Sequence, residues 1–212
     1  MNCCQCQGIE ELFSEEYVAK ELKRYRRRGP DKTTRMLIEA LKEEHVEGLT
    51  LLDIGGGLGA IQHEMLDAGV QSARDIDASR AFLTAAKAET ARRGYVERVD
   101  YQHGNFVDLA ENVSPADIVT LDRVICCYPD MQELVSLSVA RAGKYYGLVF
   151  PREDWWMKAY HVLQSLFLRL TRSRFRTFLH PTEAVEELVK DRGFRRCFYR
   201  RTFVWQVVLY TH

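Results

Sequence analysis

The sequence lacks net charge: 30 lysines and arginines balance 30 aspartates and glutamates over 212 residues. A generic nucleic-acid coat needs an excess of positive charge, so that class is not expected. No stretch approaches the ~18 apolar residues of a membrane span, and residues 1–11 lack a basic-then-apolar leader pattern. A cytoplasmic protein without a membrane span is the expectation. Internal repeats, low-complexity tracts and linkers are also missing, which leaves one domain. A disulfide framework is absent too, because the six cysteines (Cys3, Cys4, Cys6, Cys126, Cys127 and Cys197) are clumped rather than spread. Cys3-Cys4-Gln5-Cys6 holds one Cys-x-x-Cys, but no second pair at metal-finger spacing follows. Reduced thiols without a metal are the simpler reading. Convergence of these sulfurs with Cys126-Cys127 around zinc or a soft metalloid is the alternative. Nothing in the pattern speaks to oligomeric state.

What is present begins with an ordinary globular composition, 46% hydrophobic and 28% charged. A chain of this length buries roughly 70% of the surface that its unfolded form exposes. The zero charge is an average over unequal segments. Residues 20–35 hold eight basic and two acidic side chains, and residues 169–201 hold ten basic and four acidic, so the rest of the chain is acidic. Along the chain, apolar spacing predicts a helix over 10–28 and, after Gly29-Pro30, a second helix capped by Asp31. From residue 49 onward strands and helices alternate, with strands over 49–54, 73–77, 98–102, 117–121 and 145–150. Such β-α repeats imply a parallel sheet with helices on both faces. Strands over 195–201 and 203–211 follow each other too closely for a crossover, so they must pair antiparallel. The fold class is therefore α/β, doubly wound and mostly parallel.

The most informative stretch is Asp53-Ile54-Gly55-Gly56-Gly57-Leu58-Gly59 directly after a buried strand. Glycines here let the backbone turn sharply and approach a ligand near the next helix N-terminus. Alone, the loop also satisfies a relaxed dinucleotide fingerprint. Asp53 shifts the balance, since a carboxylate at that strand end repels a pyrophosphate and holds an ammonium. Asp75-Ile76-Asp77 ends the second strand, where such folds chelate ribose hydroxyls. Asp77 is the choice for that role, with Asp75 the alternate by register; a helix cap is the structural reading of either.

Together, Asp53-x-Gly55-x-Gly57-x-Gly59, Asp77-x-Ser79, Gly104-Asn105-Phe106 and Ala116-Asp117-Ile118-Val119 resemble the class I S-adenosylmethionine-dependent methyltransferases. The resemblance implies a seven-stranded Rossmann-like sheet with its last strand antiparallel, and S-adenosyl-L-methionine as cofactor. It further implies that Asp53, Gly55, Gly57 and Gly59 face the methionine part, Asp77 the ribose, and Asn105 with Phe106 the adenine. Asn105 stands where the family usually has Asp; its carbonyl can still accept from the adenine amine. The implied divisions are an N-terminal helical cap (1–47), a cofactor-binding core (48–151), a lid insertion (152–180), and a closing helix with antiparallel strands (181–212).

A finer resemblance lies in Leu121-Asp122-Arg123-Val124-Ile125-Cys126-Cys127-Tyr128-Pro129. It looks like the Leu-Asp-x-x-Ile-His-Tyr-Pro region of magnesium-protoporphyrin O-methyltransferases. Cys127 stands where that subfamily has a His. If that His acts as a base, this chain lacks it. A propionate carboxylate, with a pKa near ~4–5, is already ionised at pH 7 and needs none, whereas a phenol or amine benefits from one. The expected acceptor is therefore a small, acidic, apolar molecule such as a tetrapyrrole propionate. Tyr25, Tyr128 and Asp122 are the candidate catalytic groups, with Asp122 also near the cofactor. The insertion is expected to cover the acceptor with its aromatic face, Trp155 and Trp156, and to hold its acid with Arg172 and Arg174, His180 lining the pocket. A helix packed on the core is the plainer alternative. Other readings are a non-catalytic binding or scaffold protein and, disfavoured by Asp53 and the missing second domain, a nicotinamide oxidoreductase.

Overall fold

Parallel strands alternating with helices set the frame, and the computed structural model describes residues 4–170 and 174–212 of it. The side chains of Cys4, Gln5, Cys6, Ser165, Phe167 and Arg169 lie outside that description. The chain opens with three helices, α1 (Cys4–Leu12), α2 (Glu15–Arg28) and α3 (Lys32–Lys42). Then come β1 (Thr50–Ile54), α4 (Ala60–Asp67), β2 (Ser72–Asp77), α5 (Arg80–Arg93), β3 (Val99–His103) and the single turn α6 (Phe106–Leu109). β4 (Ala116–Asp122), α7 (Met131–Val139) and β5 (Ala142–Pro151) complete the parallel part. α8 (Trp155–Leu170), α9 (Thr182–Lys190), β6 (Arg195–Arg201) and β7 (Trp205–Thr211) close the chain.

The sheet order is β3-β2-β1-β4-β5-β7-β6. β7 runs antiparallel to both of its neighbours, as the short gap after β6 requires. Alternate residues of each strand serve opposite faces. Leu52, Ile54, Val119 and Tyr146 pack beneath α7 and α9, whereas Leu51, Ile118, Tyr145 and Val207 pack beneath α3 and α4. Each fully buried Leu or Ile stabilises the fold by roughly 1.5–3 kcal/mol. Order reverses between β1 and β4, and in open α/β sheets the crevice outside the carboxyl ends at such a switch point is where ligands bind.

Two local expectations are corrected. Residues 10–28 do not form one helix, because Ser14 takes an extended backbone (φ −60°, ψ 159°) and its Oγ accepts from Tyr17 N at 3.3 Å. Glu15 and Glu16 then fill the first turn of α2, where the helix dipole favours acid. Asp31 stands at the N-cap of α3 but makes no side-chain capping bond. Its carboxylate is spent on Arg24 and Arg123 instead.

Candidate active site

A cavity of about 470 Å³ opens at the carboxyl ends of β1, β2 and β4. Its floor is the glycine loop. Gly55, Gly57 and Gly59 have φ of 68°, 58° and 76°, in the left-handed region that side chains rarely adopt. A Cβ on Gly55 would lie 2.5 Å from Val124 Cγ2, so the end of β1 and the loop after β4 approach closely only because residue 55 is glycine. Nothing stands within 4 Å of where a Gly57 Cβ would be, which leaves that backbone bare to a ligand.

Below the loop sit buried carboxylates. Asp53 Oδ1 accepts from Thr120 Oγ1 at 2.6 Å, and its Oδ2 accepts from Gln62 Nε2 at 3.2 Å. Asp77 Oδ1 accepts from Ser79 N at 2.8 Å and Oδ2 from Gly57 N at 3.1 Å. Asp77 thus braces the glycine loop against the start of α5. Asp75 Oδ1 accepts from Gly56 N at 3.2 Å, while its Oδ2 is buried without a partner. Asp53 and Asp77 line the cavity and Asp75 does not, so register favours Asp77 over its alternate. Burial pushes all three carboxyls up, helped at Asp53 and Asp75 by their acidic neighbours, and Asp53 reaches about 7. No lysine or arginine hydrogen-bonds any of the three among the described residues.

The roof comes from the N-terminal helices. Ile9, Leu12, Phe13, Tyr17, Arg24 and Tyr25 line the cavity, with Phe82 and Phe175 closing its sides. Phe13 is the hinge of this roof, its ring 5.1 Å from that of Phe82 and 6.3 Å from that of Phe175. A charged lattice ties the roof to the sheet. Glu21 and Asp31 hold Arg24, and Asp31 Oδ2 accepts from Arg123 Nη1 at 2.8 Å. Arg123 Nε also donates to Asp122 Oδ1 at 3.1 Å, and Thr34 Oγ1 donates to Asp122 Oδ2. Arg123 adopts φ 63°, unusual for a side-chain-bearing residue, which aims its guanidinium into this lattice. The two arginines hold Asp31 well below the usual carboxylate range, at about 2.

The other expected residues fall into two groups. Tyr25, Asn105, Phe106, Asp122 and Tyr128 all line the cavity. Asn105 Oδ1 caps α6 through Val107 N, and its Nδ2 donates to Tyr128 Oη at 3.3 Å. Tyr25 accepts from Arg93 Nη2 at 3.1 Å, and burial pushes its phenol up to about 12. Trp155, Trp156, Arg174 and His180 lie outside the cavity lining. Trp155 is 81% exposed, and Trp156 stacks on Phe203 at 4.1 Å. Arg174 pairs with Glu11 at 3.1 Å. His180 Nε2 donates to Tyr128 O at 2.9 Å, which steadies the Tyr128 loop from behind; burial lowers its pKa. Among the described residues α8 does not line the cavity; α1 and α2 do, and Phe175 and Thr177 reach it from the end of the insertion.

Cys126 and Cys127 are not joined in a disulfide, their sulfurs lie 3.8 Å apart, and both line the cavity. Among the described residues no three His, Cys, Asp or Glu side chains gather as a metal site. Arg172 and Cys3 lie outside the described residues, as do the side chains of Cys4 and Cys6. Sequence reasoning missed the Arg24-Asp31-Arg123 lattice. Its signal was the basic run of α2 beside Asp31, but Arg123 joins from 92 residues away.

An αβα sandwich with a carboxylate-floored, glycine-rimmed crevice at its switch point is the Rossmann-like methyltransferase fold. Residues 52–149 match the family model described as a methyltransferase domain. No curated protein matches the sequence. Among solved structures, magnesium protoporphyrin IX methyltransferase from Synechocystis PCC 6803 with bound S-adenosylhomocysteine superposes with a TM-score of 0.69. The match has 16% identity and covers 95% of this chain and 99% of that one. An O-methyltransferase family protein from Burkholderia thailandensis gives 0.69 and 17% identity, over 95% of this chain and 61% of that one. A sarcosine dimethylglycine methyltransferase from Galdieria sulphuraria, given as putative, reaches 0.65 at 12% identity, over 85% of each chain. At these identities the likeness concerns the fold.

The residues fit S-adenosylmethionine. Asp53 and Asp77 present acid without a bonded cation, and the cofactor brings an ammonium and a sulfonium. Each oxygen of a carboxylate offers two acceptor positions, so Asp77 keeps room for ribose hydroxyls beside its two backbone donors.

Proposed function

We propose that this protein methylates the carboxylate of a small, flat, apolar acid in the cytoplasm, a tetrapyrrole propionate being the leading candidate. The observation that carries the reading is the polarity of the cavity. Its floor is acidic and suits a cationic donor, whereas its roof is aromatic and apolar, with Arg24 and Arg123 neutralised by Glu21, Asp31 and Asp122. The likeness to magnesium protoporphyrin IX methyltransferase supports the choice of acceptor.

The cofactor, when bound, supplies an electrophilic methyl group on a sulfonium. In this reading Asp53 and the glycines at 55, 57 and 59 hold its methionine part, Asp77 its ribose, and Asn105 with Phe106 its adenine. Asp122, Tyr128 and Tyr25 position the acceptor against the methyl group. Methyl transfer rests mainly on positioning and desolvation. A phenol raised to about 12 is protonated at pH 7, so Tyr25 donates a hydrogen bond rather than removing a proton. A carboxylate acceptor has no proton to lose, which agrees with the Cys at position 127.

The test incubates purified protein with S-adenosylmethionine and a panel of magnesium protoporphyrin, phenols and thiols, read by mass spectrometry. A methyl ester of the tetrapyrrole is expected. Methylation confined to phenols or thiols defeats the carboxylate reading. Calorimetric binding of S-adenosylmethionine without turnover on any acceptor favours a scaffold instead.

A further inference from the structure

Helix α8 is amphipathic in the wrong sense for a helix packed on a core. Helical spacing puts Trp155, Ala159, Val162, Leu163, Leu166 and Leu170 on one stripe. That stripe faces outward: Trp155 is 81% exposed, Leu163 67% and Leu170 75%. The inward face mixes the buried Met157 with the polar His161 and Gln164. His161 Nε2 donates to Thr177 O at 2.7 Å, and Gln164 Oε1 accepts from Thr177 Oγ1 at 3.3 Å. Beside the start of α8, the hairpin between β6 and β7 adds Phe203, 74% exposed and stacked on Trp156. Contiguous apolar surface of this kind on a water-facing element marks a docking face.

Charge identifies what it docks on. From Trp155 to Thr182 there is no aspartate or glutamate, while Lys158, Arg169, Arg172, Arg174 and Arg176 fall inside that stretch. Because the totals balance, the rest of the chain holds five more acidic than basic residues. Lys158 pairs with Glu153, Arg152 with Asp154 and Arg174 with Glu11, so these local charges cancel and the basic excess rests on the other arginines. Arg200 and Arg201 are exposed beside the Phe203 hairpin. A second copy packed symmetrically on this face would set one basic stretch against another, so a homodimer fits poorly. An apolar stripe of Trp and Leu bordered by Lys and Arg matches helices that lie in the headgroup region of anionic bilayers.

We propose that α8 and the Phe203 hairpin form a peripheral docking face for an anionic lipid surface. No helix among the described residues is long and apolar enough to cross a membrane, so attachment is in the interface plane. The face lies outside the cavity, and docking leaves cofactor binding unchanged. The test is flotation of the full chain with phosphatidylcholine vesicles, with and without phosphatidylglycerol. The protein is expected to float with the anionic vesicles, at least tenfold less with neutral ones, and to be released by high salt. The double variant Leu163→Ser, Leu166→Ser is expected to lose at least tenfold in lipid partition while binding S-adenosylhomocysteine normally, which shows that it is folded. Failure to float at low salt, equal flotation with both lipids, or unchanged flotation of the double variant overturns the proposal. So does a dimer that the same two substitutions dissociate.

Discussion

The floor and the roof of the cavity use acidic residues in opposite ways. On the floor, Asp53, Asp75 and Asp77 are buried at the ends of β1 and β2 with backbone and neutral partners, and burial raises their pKa. On the roof, Asp31 sits between Arg24 and Arg123, and its pKa falls to about 2. A carboxyl whose folded pKa lies above its unfolded value near 3.8 stabilises the fold fully below that value and loses the contribution as pH rises through the folded pKa. Asp53 therefore costs stability between about pH 4 and 7. Asp31 does the reverse, stabilising above pH 3.8 and losing this as pH falls towards 2. The lesson is that the floor is built for a cation that the protein does not itself provide, whereas the roof is internally neutralised.

The sharpest way to break this contrast is at the floor. Gly55→Val combines a left-handed backbone with a clash against Val124, and we expect S-adenosylhomocysteine binding to weaken at least ~100-fold by calorimetry. Asp77→Ala removes charged hydrogen bonds worth roughly 1.5–3 kcal/mol and should weaken the same ligand ~10- to 100-fold. Asp75→Asn takes a raised carboxyl out of the interior and should stabilise the unliganded protein at neutral pH. In thermal melts that gain should shrink as pH falls and vanish below about 4; a gain that does not change with pH refutes the account of the floor. Arg123→Met probes the roof. Arg123 is 37% exposed, so solvent screens its ion pairs and the expected loss is only about 1 kcal/mol at pH 7. This loss should fade as pH falls through the titration of Asp31, opposite in sense to Asp75→Asn.

The sheet was legible because its cues are local. Leu51 to Gly59 carries strand, turn and loop in one stretch, and the brief link between β6 and β7 admits only a hairpin. Asp77 was separable from Asp75 only by register, which the pairing of Asp53 with Asp75 across β1 and β2 fixes. What stayed hidden was non-local or directional. Periodicity finds the apolar stripe of α8 but not which way it faces, and here Thr177 draws the polar side inward. Asp31 read as a cap because its competing partners lie seven and 92 residues away. Arg174 looked suited to a substrate acid, yet its partner is Glu11 at the far end of the chain.

α1 has a kinetic consequence. It spans the mouth of the cavity, with Glu10 bonded to His103 and facing Arg80 on one side, and Glu11 paired with Arg174 on the other. Gly8 presses against the backbone of Phe175, where a Cβ would approach to 2.5 Å. Exposed ion pairs of this kind hold by ~1 kcal/mol or less each and weaken with salt. We expect raised ionic strength to hasten the departure of spent cofactor past this strap, an outcome that stopped-flow release measurements check.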